Sequence, residues 1–131
     1  METNLSFTLA ARLYKGEKAF GPGIATLLRN VERTGSLQKA ADAMEMAYSK
    51  AWKMIKEAER LWSVPLTYRD IGGKNGGGSV LTPEGRFLLE RYESFTEEIQ
   101  KKCSEVFIEY YSEDFFRELE AVRTETHRGE Y

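Results

Sequence analysis

Around Tyr48 to Arg60 the chain reads YSKAWKMIKEAER. At about 100° per residue, Ser49, Lys53, Lys56 and Arg60 line one narrow stripe of a helix, with Lys50 beside it. Amines at that spacing can hold phosphate oxygens. Hydroxyl and amine groups near the helix start can reach base edges, so Ser49, Lys50 and Lys53 are the candidates for reading sequence. The opposite side carries Ala51, Ile55, Ala58 and Trp62, with Tyr48 and Trp52 next to them. Trp52 is expected in the core. Tyr48 could lean onto a sugar-phosphate or pack inward.

Further candidates lie on either side of this helix. Ser36, Gln38 and Lys39 open the preceding short helix, where unpaired backbone N–H groups welcome a phosphate, although Ser36 is also a good N-cap. Lys74 and Asn75 lie in Asp70–Ser79, a loop with five glycines, and Arg69 and Arg86 flank it. Lys74 and Asn75 are expected to touch phosphate backbone or minor groove, and Arg69 and Arg86 to hold phosphates. The loop does not match a nucleotide cradle, because Asn75 follows the lysine where Ser or Thr is needed and the G-x-x-x-x-G-K spacing is missing. A solvated charged face is the plain alternative for the lysine stripe.

The elements that must position these groups follow from periodicity. Leu5 to Tyr14 alternates apolar and polar, which predicts a half-buried strand, and Lys15–Lys18 turns the chain into a short return strand. A lone strand needs a pairing partner, which a second subunit could supply. Pro22 opens a helix with Ile24, Leu27, Leu28 and Val31 on one face, and Gly35 closes it. Ser36 starts a second helix, in which Ala40 and Ala41 permit close helix approach. Only Glu45-Met46-Ala47 separates it from the third, which Pro65 bounds. Strands over Leu66–Arg69 and Val80–Thr82 enclose the glycine loop. Helix, turn, helix, then wing is the order of a DNA-reading head.

Thr82-Pro83-Glu84 starts a fourth, long helix. Leu88, Tyr92, Phe95, Ile99, Cys103, Val106 and Tyr110 recur along it by threes and fours. So long a stripe predicts a subunit contact, to which Leu5 and Phe7 would add. Ser112 caps a last helix with Phe115, Phe116, Leu119 and Val122 inward, and Thr124–Tyr131 is expected to fray. The expected fold is mainly α with a small β component: a winged helix-turn-helix over 1–86 and a helical dimerisation segment over 87–131.

Composition fits that division. The net charge of −2 is split between a basic front and an acidic back. Residues 1–86 hold 13 Lys and Arg against 9 Asp and Glu, whereas 87–131 hold 6 against 12. The front therefore attracts polyanions despite the overall sign. The single cysteine, Cys103, excludes an internal disulfide and points to a reducing compartment. Met1–Asn4 lacks the start of a secretory signal, and no stretch approaches the roughly 20 apolar residues that span a bilayer. A cytoplasmic location with no membrane partner is expected. His127 has no companions at ligand spacing, so neither a metal site nor catalysis is expected.

Several motifs together resemble one family. Phe20-Gly21-Pro22, Thr34-Gly35-Ser36-Leu37, Ala40-Ala41, Tyr48-Ser49-Lys50-Ala51-Trp52 and Gly72–Thr82 are similar to the N-terminal domain of ModE, the molybdate-responsive regulators, within the wider LysR-type group. The resemblance runs from about Leu5 to Phe95. It implies a dimeric winged helix that places its third helix in the major groove of double-stranded DNA and regulates transcription. ModE proteins that sense molybdate carry further domains, which this sequence lacks, so molybdate binding and cofactors are not expected. The competing expectation is a winged-helix adaptor that binds protein through its C-terminal helices. A metal- or oxyanion-binding protein is a minor third.

Overall fold

The computed structural model describes residues 5–70 and 78–130. The elements in order are β1 (Leu13–Lys15), β2 (Glu17–Phe20), α1 (Pro22–Thr34), α2 (Leu37–Ala43), α3 (Tyr48–Trp62), β3 (Thr67–Asp70), β4 (Gly78–Leu81), α4 (Pro83–Tyr110) and α5 (Glu113–Glu130). Contacts gather the chain into two compact units. One, the head, is Ala10–Thr96, and the other joins the residues up to Leu9 with those from Glu97 onward.

The strand expected from Leu5 is shorter than its alternation suggests. Pairing is confined to Leu13–Lys15 against Glu17–Phe20, and the register shifts between Leu13 and Tyr14. Gly16, at φ 77°, takes the left-handed region at no steric cost and turns the chain back at once. The part of that strand which pairs, Leu13–Lys15, finds its partner in its own chain.

Ile24, Leu27, Leu28 and Val31 of α1 are buried as their spacing requires. Gly35, at φ 72°, ends the helix, its N–H donating to Val31 O at 2.8 Å. Ser36 then caps α2, its Oγ accepting from Lys39 N at 3.1 Å. Ala40, Ala41 and Ala51 are completely buried in the core that α2 and α3 share. Glu45 turns the chain in the left-handed region at φ 53°. Past α3, Leu66 N donates to Glu59 Oε2 at 2.8 Å, and Leu66 itself is fully buried.

The β3–β4 ladder runs from Thr67 opposite Leu81 to Asp70 opposite Gly78, close to the strands expected at 66–69 and 80–82. Ser79 N donates to Gly35 O at 2.8 Å and fastens this hairpin to the end of α1. Thr82 Oγ1 accepts from Gly85 N at 2.8 Å and donates to Pro65 O at 2.6 Å, capping α4 and tying it to the chain before β3.

The start of α4 completes the core of the head. Leu89 is fully buried, and Leu88 packs half-buried beside it. Tyr92 was expected at a subunit contact. Instead its ring lies 5.0 Å from Phe20, and its hydroxyl donates to Ala11 O at 2.7 Å. The first part of the apolar stripe therefore belongs to the core of the head, which extends past the boundary drawn at 86 to Thr96. Arg29 of α1 adds a polar tie. It donates to Glu93 at 3.0 Å and Glu32 at 2.7 Å, and Glu32 also pairs with Arg86. The hydrogen bond to Glu93 holds the Arg29 guanidinium above its ordinary value.

Burial pushes the Tyr92 hydroxyl above the usual tyrosine value, against a smaller opposite pull from the charge of Arg12. A phenol kept protonated by folding contributes stability that is present below about pH 10 and lost as pH rises through its folded value. Tyr92→Phe should therefore flatten the alkaline fall in the urea midpoint. At neutral pH it should cost about 1 kcal/mol for the lost bond to Ala11. An unchanged alkaline limb would contradict this placement.

In the second unit, Phe7 lies 4.9 Å from Phe107, which continues to Tyr111 at 5.2 Å and on to Phe115 at 5.0 Å. Aromatic pairs at these separations stabilise beyond simple area burial. Leu119 and Val122, expected inward, are exposed, while Phe115 and Phe116 are half-buried. The tail expected to fray continues α5 to Glu130.

Candidate nucleic-acid interface

α3 buries Ala51, Ile55, Ala58 and Leu61, which turns Tyr48, Ser49, Lys50, Trp52, Lys53 and Lys56 to the surface. Its first turn contains no acidic residue, so the positive end of the helix dipole is not cancelled by its own side chains. α4 and α5 instead begin with Glu84 and with Glu113 and Asp114.

The lysine stripe divides into two functionally different halves. Toward the C-terminus, Lys56 Nζ pairs with Glu59 at 3.2 Å, and Arg60 pairs with Glu57 and, at 3.0 Å, with Glu17. Those carboxylates keep the Arg60 guanidinium above its ordinary value, and Arg60 draws the Glu57 carboxyl below its own. Toward the N-terminus, Lys50 and Lys53 are exposed, with no acidic partner within 4.0 Å among the described residues. The half of α3 with available charge is its start, where a helix entering a groove meets bases.

Trp52 is not in the core. It is 47% exposed, and Lys56 Nζ sits 5.5 Å from its ring centre. Ala51 fills the inward slot, and Trp52, about 100° further round the helix, is carried outward. Tyr48, open in sequence between two roles, is 46% exposed. Together with Ser36, Gln38, Tyr68, Arg69 and Ser79, these side chains line a cleft of about 610 Å³ between α2, α3 and the β3–β4 hairpin. Base or sugar rings can stack on such exposed aromatics.

Of the expected contacts, Ser36, Gln38 and Arg69 thus share this cleft with α3. Lys39 is exposed, and Gln38 Nε2 donates to Asp42 at 3.0 Å. Arg69 is exposed on β3. Arg86 faces Glu32 and is not an unpaired cation. Lys74 and Asn75 lie outside the described residues. Sequence reasoning missed Tyr68 and Ser79, and it misplaced Trp52; the available signal was aromatics interleaved with lysine and arginine. Among the described residues no group of three or more His, Cys, Asp or Glu is placed to hold a metal ion.

Residues 25–86, from α1 into the first turn of α4, match the bacterial regulatory helix-turn-helix proteins of the LysR family. This stretch is similar to the LysR-type helix-turn-helix domain. The likeness to ModE expected from the sequence is found as well. The chain is 35% identical over 72 residues to transcriptional regulator ModE of Haemophilus influenzae, covering 55% of this chain and 28% of that protein. It is 35% identical over 85 residues to the DNA-binding transcriptional dual regulator ModE of Escherichia coli K12, covering 65% and 32%. It is 38% identical over 74 residues to molybdenum transport protein ModE of Azotobacter vinelandii, covering 56% and 27%. The chain thus spans about a third or less of the length of these curated relatives. ArgP from Mycobacterium tuberculosis is similar in fold, with a TM-score of 0.52 at 22% identity over 68% of this chain and 31% of that one.

Proposed function

We propose that the chain is a DNA-binding transcriptional regulator that reads double-stranded DNA with α3 and acts as a homodimer in the cytoplasm. The observation that carries the reading is the start of α3, where exposed Ser49, Lys50 and Lys53 stand on a helix anchored by α2. The cleft beside it offers Tyr48, Trp52 and Arg69 to the flanking strand. Ser49, Lys50 and Lys53 meet base edges, and Lys39 and Arg69 meet phosphates. Two heads would address half-sites about one helical turn, ~34 Å, apart or a multiple of it. Gel-shift against genomic fragments tests the reading. Retardation that persists for selected fragments over a competitor of random sequence supports it, and no retardation at low salt refutes it and favours a protein adaptor.

Dimerisation is supported by large apolar side chains left on the surface of α4 and α5. Ile108 is 65% exposed and Tyr110 70%, with Phe95, Val106, Leu119 and Val122 also exposed. Apolar surface of this kind marks a protein contact. Val106→Glu with Ile108→Glu should convert a sedimenting dimer to monomer without lowering the melting temperature of the head. A wild-type chain that sediments as a monomer at all accessible concentrations would contradict the assignment.

A further inference from the structure

A second cleft, of about 400 Å³, lies on the other flank of α3, between that helix, the β1–β2 hairpin and the start of α1. Four of the side chains lining it are cations: Arg12 and Lys18 from the hairpin region, and Lys50 and Lys53 from α3. All four are exposed, and none has an acidic partner within 4.0 Å among the described residues. The one carboxylate in the lining, Glu57, already belongs to Arg60. Gly21, Pro22 and Gly23 line the same cleft, and at the two glycines it has no side chain. Arg12 lies against this stretch, so close that a Cβ on Gly21 would sit 3.5 Å from its Cγ. The hairpin is held to α3 by bonds from Lys15 Nζ to Leu61 O at 3.1 Å and from Trp62 Nε1 to Ala19 O at 2.9 Å.

We propose that Arg12 and Lys18 form a phosphate clamp that grips the DNA backbone beside the groove α3 enters. The inference rests on the DNA-binding reading above and extends it to the N-terminal hairpin, which lies outside the matched residues 25–86. Duplex DNA carries a phosphate about every 3.4 Å along each strand, so a helix seated in a groove has backbone on both flanks. On one flank stand α2 and the β3–β4 hairpin. On the other, Arg12 and Lys18 share a cleft with the lysines assigned to the bases. Fastened to α3 at two points, the clamp sets the depth and tilt of the helix and contributes affinity without reading sequence.

The test compares the full chain with Arg12→Gln and Lys18→Gln, which keep a polar stem but lose the charge. Each is titrated with selected fragments and with random-sequence duplex over a salt series, and Lys101→Gln in the second unit serves as the equal-charge control. Each hairpin variant should reduce the slope of log affinity against log salt by about 0.9, with equal fold losses on both DNAs. The control should leave the slope unchanged, and melting temperatures should match wild type. Wild-type binding with slopes unaltered in both hairpin variants would overturn the clamp but leave the α3 reading intact. A loss confined to selected fragments would also overturn it, because it would mean base contact. No binding by wild type would overturn both.

Discussion

Lys53→Ala is expected to weaken binding to selected fragments by about 1–3 kcal/mol, roughly 5- to 150-fold, and to relax preference at the base pair it contacts. The size follows from its position. Lys53 is one turn inside α3, exposed, and with no carboxylate within 4.0 Å of its amine among the described residues. Its removal therefore releases no internal ion pair and leaves Ala51, Ile55 and Ala58 packed. Lys56→Ala should do much less, because Lys56 is already shared between Glu59 and the face of Trp52. Competition titration on selected and mutated fragments separates the two. Equal effects of both substitutions would mean the stripe acts only as a diffuse charge.

The second large effect concerns folding. Gly85→Ala should destabilise the head by about 3 kcal/mol, because a Cβ there would stand 2.3 Å from Leu66 O and 3.1 Å from Leu66 Cα. Neither atom belongs to a side chain that can rotate away, and Leu66 O already accepts from Thr82 N at 3.0 Å. Alanine ordinarily favours a helix over glycine by about 1 kcal/mol, so a net loss would isolate the steric effect. With a domain of this size each kcal/mol lowers the melting temperature by about 4–8 °C. Thermal unfolding reads the result directly. An unchanged or raised midpoint would mean that α4 does not close onto Leu66.

The helical part of this fold was legible because its signals are local. Pro22, Gly35, Ser36 and Thr82 each settle their own helix boundary through φ or a capping bond, and the alanines of α2 announce a close crossing. The strand from Leu5 misled because alternation measures which faces could be buried, while pairing length depends on where Gly16 and the shift at Leu13 end the ladder. Trp52 misled for a related reason. Periodicity does not give the width of the buried arc: on α1 it takes the adjacent Leu27 and Leu28 together, whereas on α3 it takes Ala51 and leaves Trp52 outside. Tyr92 shows that a heptad-like stripe does not state what it packs against: its target, Ala11 O, is 81 residues away in sequence. In the candidate site, lysines were visible as a stripe. Their partners Glu17, Glu57 and Glu59, which divide it into occupied and available charge, were not.

In the proposed complex, the start of α3 meets DNA bases with charge the protein leaves unspent. The most direct measurement is the preference of the Lys50→Ala, Lys53→Ala double variant for selected over random duplex, taken at one fixed salt concentration beside wild type. Wild type is expected to discriminate, and the double variant to bind both duplexes weakly and alike. A double variant that keeps the wild-type preference would contradict it.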